Sequence, residues 1–144
     1  MTPADVLSRL RRFLLAFSVA LLGGSLFELW LIGHTEDPVQ FIPFVLCGVG
    51  MLAALATLLR PRRATLWVLR ACMALVVLGT LLGIYLHVEG NYALQREISP
   101  NAGASDALFG ALGGANPLLA PGILAVAAAL ALAATYRHEA LARE

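Results

Sequence analysis

"FLLAFSVALLGGSLFELWLIG", Phe13 to Gly33, carries a single charged side chain, Glu28, in a run that is otherwise apolar or small. At about 1.5 Å per helical residue, such a run crosses a hydrocarbon layer about 30 Å thick. Its apolar core is too long for a cleaved leader, whose core spans about 7–15 residues, so it reads as a retained span. Three further runs resemble it in length and hydropathy: Phe41 to Leu59, Leu66 to Leu86, and Pro117 to Tyr136. With no water to bond, each must be helical so that its backbone groups pair internally. The expected fold is an all-α integral membrane protein. Four transmembrane helices pack as a small bundle in a single domain over 1–144, with a long outer loop, 88–114, between the third and fourth.

Composition agrees. Of 144 residues 60% are hydrophobic and 13% charged, and the mean hydropathy is +0.81. A soluble domain carries about 25% charged residues. The net charge of +1 leaves no basic field for nucleic acid, so no nucleic-acid partner is expected. All ten basic residues are Arg, and the Arg, Ala, Leu and Gly bias hints at a GC-rich bacterial genome.

The arginines set the threading. Arg9, Arg11 and Arg12 precede the first span. Arg60, Arg62 and Arg63 fill the turn after the second, and Arg137 and Arg143 follow the fourth. The opposite loops hold only Arg96. Basic residues concentrate on the cytoplasmic side of membrane proteins, so the chain is expected in the inner (plasma) membrane, multi-pass, with both termini cytoplasmic. At the start, Thr2 reads as a helix cap, Pro3 as the first helical residue and Asp5 as the acid of a capping box. Val6, Leu7 and Leu10 then share a face that suits the membrane surface. Asn116 and Pro117 repeat the cap-and-proline pattern before the fourth span.

Lipid is as apolar as Leu, so membrane helices associate through small residues that let backbones approach. Each span has such residues four apart: Ala16, Ala20 and Gly24; Gly50 and Ala54; Gly79 and Gly83; Ala125, Ala129 and Ala133. They suit first a tight bundle within one chain, with a seam to a second copy or another membrane protein as the alternative.

Glu28 is the acid that needs explaining. A charge near the bilayer centre costs about 2.5–3.5 kcal/mol, and less toward the interface. Arg70, near the cytoplasmic end of the third span, is too far along the membrane normal to pair with it; Arg70 is expected to contact cytoplasmic lipid headgroups or an anion. Tyr85 and His87 lie at matching depth, so a polar cluster of Glu28, Tyr85 and His87 is expected, with His34, Glu36, Asp37 and Glu89 at its mouth. Such a cluster is either interhelical glue or a working site. His34, His87 and Glu89 are weak candidates for a metal, because residues two apart split across a helix. No haem-attachment motif is present and no cofactor is expected. Cys47 and Cys72 lie at different depths, so no bridge is expected between them.

In the long loop, "YALQREIS" alternates in a way that suits an extended piece. "SDALFGALGG" suits a short helix capped by Ser105, with Leu108, Phe109 and Leu112 on the membrane surface or over the bundle. No nucleotide loop, zinc-protease motif or nucleophile elbow is present. The expected function is that of a non-catalytic subunit or accessory protein of a membrane assembly. The alternatives are a small proton-coupled transporter or ion-binding protein working through Glu28 and His87, and a membrane enzyme acting on lipid or quinone.

Overall fold

The computed structural model describes residues 1–142, which are helical with no strand. Helix α1 spans Pro3–Leu31, α2 Phe41–Leu59, α3 Arg63–Ile98, α4 Ala104–Leu112, α5 Leu119–Ala134 and α6 Glu139–Ala142; a 3-10 turn, Pro38–Gln40, leads into α2. Three stretches are long and apolar enough to cross a membrane: α1, the turn with α2, and α3. At 16 residues, α5 is equally apolar but only about 24 Å long.

The capping box at the start forms as its spacing requires. The Asp5 amide donates to Thr2 Oγ1 at 3.2 Å and the Thr2 amide donates to the Asp5 carboxylate at 2.9 Å. Two amides of the first turn, which have no partner within the helix, are thereby satisfied. These hydrogen bonds from Thr2 hold the Asp5 carboxyl below the usual carboxylate range. At the other end of α1, Gly33 takes a left-handed φ of 64°, a conformation that costs a side-chain-bearing residue about 1–2 kcal/mol, and the chain turns back.

The helices pack as a ring. α1 lies against α2 and α5, α3 lies against the same two, and the α1 and α3 backbones stand apart across the bundle, with side chains of both in the shared core. The core is made of Leu22, Cys47, Ala54, Leu69, Met73, Val76, Ala127, Ala128 and Ala131, all fully buried. Close approach depends on residues without bulk. A side chain at Gly79 would strike Leu46 of α2, one at Gly83 would meet Pro121 of α5 at 3.2 Å, and one at Gly50 would press on Leu22 and Met73. The glycine pair of α3 is therefore consumed within the chain. In α5 the packed residues are Ala127, Ala128, Ala131 and Ala134, while Ala129 and Ala133 of the expected stripe are exposed. Buried hydroxyls are bonded to carbonyls: Ser18 reaches across to Ala127 at 2.8 Å, and Thr80 back to Val76 at 2.9 Å.

The long loop is mostly helix, which corrects the expected extended piece. α3 runs on through "YALQRE" to Ile98, so its 36 residues extend about 54 Å. Falling hydropathy beyond Leu86 marks the end of the apolar run, not of the helix. Leu94, Gln95, Arg96 and Glu97 are good helix formers, and the helix stops where Pro100 disfavours helical geometry in Ser99. α4 folds back along this overhang, with Gly103 rather than Ser105 at its cap. Its Ala107 and Ala111 are buried against α3, while Leu108, Phe109 and Leu112 are exposed and do not lie over the bundle. α5 starts at Leu119, two residues later than Pro117, because Asn116 is drawn to α3 instead of capping α5.

Candidate functional site

Three places hold the chemically capable residues: the two ends of the bundle and the outward face of α1. The arginine end joins the start of α1, the α2–α3 turn and the end of α5. Arg11 Nη2 donates to the Tyr136 carbonyl at 2.9 Å and the Arg137 carbonyl at 3.0 Å. From the other side, Arg70 Nε donates to Thr135 Oγ1 at 3.0 Å and its Nη2 to the Thr135 carbonyl at 3.2 Å; its guanidinium also lies over Trp67. The last carbonyls of a helix lack internal partners and carry the negative end of its dipole. Two arginines from different helices thus clamp the end of α5. Arg70, expected at a lipid headgroup or anion, has its donors turned inward to Thr135. A cavity of about 200 Å³ lies beside the clamp, lined by Ser8, Arg11, Arg12, Thr57 and His138 among others.

The opposite, histidine end is organised by α3. His87 Nδ1 donates to the Pro117 carbonyl at 2.9 Å; a carbonyl only accepts, so this bond assigns the proton to Nδ1 and leaves Nε2 for another partner. One turn on, Asn91 is fully buried. Its Nδ2 donates to the carbonyls of Ala111 and Asn116, each at 2.9 Å, and its Oδ1 accepts from the Asn116 amide at 2.8 Å. Gly114 lies so close that a side chain there would overlap Asn91. Asn91 therefore latches α4 and the start of α5 onto the α3 overhang. Nothing in the sequence singled it out; the one signal was an Asn within a helix opposite a Gly-rich connector.

The expected cluster is only partly assembled. His34 lies near enough to His87 to feel its charge; burial first, and His87 second, hold the His34 pKa below the ordinary histidine value. Glu28 and Tyr85 are exposed and lie on the two helices whose backbones stand apart. Direction around the helix sets Glu28 apart from the core. The buried face of α1 runs through Leu15, Ser18 and Leu22 and continues through half-buried Ser25, Leu26 and Leu29. Glu28 precedes Leu29 by one residue, a turn of about 100°, and so points away from the core. At the expected mouth, the amides of Glu36 and Asp37 donate to Gln40 Oε1 at 2.7 and 3.3 Å, while both side chains and Glu89 are exposed. Among the described residues, no three His, Cys, Asp or Glu side chains are grouped to hold a metal ion. Cys47 and Cys72 are free thiols.

The third place is the exposed side of α1. Ala16, Ala20, Gly24 and Glu28, each four residues from the last, are all exposed. A side-chain carbon added to Gly24 would meet nothing within 4 Å. The Glu28 side chain makes no hydrogen bond or ion pair with any described residue. Phe13, Phe17, Phe27 and Trp30 flank the stripe and are exposed as well. The chain matches no family model, no curated protein and no solved structure.

Proposed function

We propose that this chain is a small multi-pass protein of a bacterial inner membrane, and that it serves as a non-catalytic subunit or accessory protein of a membrane assembly, docking through the outward face of α1. The bilayer reading is supported by the surface. Leu, Val, Phe and Trp side chains cover the outside of the bundle, and only 17–28% of each long apolar window is buried. A water-facing surface built that way would be an aggregation hazard. The four spans of this reading are α1, α2, the first part of α3, and the short α5. The arginine end faces the cytoplasm on this reading, by the positive-inside bias.

The observation that carries the docking reading is Glu28. A carboxylate toward acyl chains is costly, and ionisable groups in membrane helices as a rule turn to a protein partner or a wet cavity. Among the described residues the Glu28 side chain meets neither, and it terminates a stripe on which a second helix can approach closely. A partner helix with a donor at matching depth would neutralise the cost.

Site-specific photo-crosslinking in membranes tests this. A photoreactive residue at Ala20 is expected to give a defined adduct, which Glu28→Gln weakens by tenfold or more while the helical spectrum stays unchanged. An adduct with a second copy would identify a self-assembly. The same probe in place of Ala53, which is buried, serves as control. No adduct at Ala20, or one indifferent to Glu28→Gln, refutes docking through this face.

A further inference from the structure

The cavity at the arginine end is walled on its apolar side by Leu15, Pro61 and Leu66. Its donors fall into two groups. Two hydroxyls are already spent: Thr57 donates to the carbonyls of Ala53 and Thr65, and Thr135 to that of Leu132. The others are not. Arg11 has one terminal nitrogen on the carbonyls of Tyr136 and Arg137, yet its Nε is buried with no acceptor, the one such side-chain atom among the described residues. His138 Nδ1 accepts from the Ala140 amide at 3.2 Å, which places the neutral ring's proton on Nε2. The side chains of Ser8 and Arg12 line the same space and bond to no described residue. Leaving a charged donor buried and unmet costs about 1–3 kcal/mol or more.

We infer that this cavity binds a phosphoryl oxyanion, held by Arg11 Nε, the Arg12 guanidinium, the Ser8 hydroxyl and His138 Nε2. The donors converge from α1 and from the α5–α6 junction, a forked guanidinium suits tetrahedral oxyanions, and the space equals several water volumes of about 30 Å³. Glu139, also on the lining, is the opposing charge; with two arginines against it, the balance still favours an anion. The site does not depend on anything docking to α1. Two sources carry this chemistry, the headgroup of an anionic phospholipid and a soluble phosphate.

The test follows the Arg11 Nε–H resonance of the full chain in alkyl-maltoside micelles, which carry no phosphoryl group. In one arm inorganic phosphate is titrated; in the other, phosphatidylglycerol is mixed into the micelle. A saturable shift with inorganic phosphate assigns the cavity to soluble phosphates, and a shift only with phosphatidylglycerol assigns it to the lipid headgroup. Arg12→Gln, which removes no bond that holds the fold, is expected to weaken the response about tenfold, and Ser8→Leu to abolish it by filling the space. Silence with both probes, or a shift that survives both variants in folded protein, overturns the assignment.

Discussion

Asn91 is the side chain on which the histidine end depends. It is buried, uses three of its four bonding positions, and joins α3 to both the end of α4 and the approach to α5. Asn91→Ala deletes those bonds and strands the Asn116 amide, so unfolding in detergent should be easier by about 1–3 kcal/mol. Hydrogen exchange should rise across 104–118 while α1 and α2 stay protected; uniform protection would show that the latch is dispensable. His34 makes a second prediction at this scale. Burial and the facing His87 hold its folded pKa below the ordinary value, so the folded chain resists its protonation more than the unfolded chain does. The resulting stability is present above about pH 6.5 and is lost as pH falls through that value toward the folded pKa. His138, held low by burial and Arg11 against an opposing Glu139, acts in the same direction. The thermal midpoint should drop between about pH 7.5 and pH 5.5, and His34→Gln should flatten part of that drop; an unchanged slope would discount His34. Glu28 shows what sequence can supply at this scale. Its height along α1 was legible from counting at fixed rise. Its direction was not, since one residue turns a helix by about 100° and only the packed neighbours decide which side is inside.

At the scale of elements, a complete capping box was a reliable signal, whereas a lone cap residue at Ser105 or Asn116 was not. The Thr2–Pro3–Asp5 box placed the start of α1 to the residue. The end of α3 is not legible from hydropathy, because the apolar run stops near Leu86 while the helix breaker sits at Ser99–Pro100. The small-residue stripes were visible in every span, but only the fold sorts them. Gly83 is committed to Pro121, and Gly24 faces open space. Gly83→Val should therefore destabilise the isolated chain by about 1–3 kcal/mol, as overpacking does, and Gly24→Val should stay within about 0.5 kcal/mol, as on any open surface. Chemical unfolding of the two variants side by side checks this; equal effects would mean that the α1 stripe is packed too.

For the whole molecule, the order of helices around the ring explains why the arginine groups, dispersed in sequence, share one end. α1 rises from it, α2 returns, α3 leaves again, and α5 comes back to be clamped by Arg11 and Arg70. Charge patterning made that common end legible before any packing was known. The clamp was not legible, because it depends on carbonyls, which every residue carries alike.

The unequal lengths of the rods have a consequence for the lipid. α5 is about 24 Å long between its tether to Asn91 and its clamp at Thr135, whereas a typical hydrocarbon core is about 30 Å. In the bilayer we propose for this protein, acyl chains beside α5 meet a shorter oily belt than those beside α1 or α3, and hydrophobic mismatch is relieved by local thinning or by tilt. The annulus would then be pinched on one flank only, giving the molecule a thin side that favours shorter acyl chains and an orientation in the plane of the membrane that a symmetric bundle lacks.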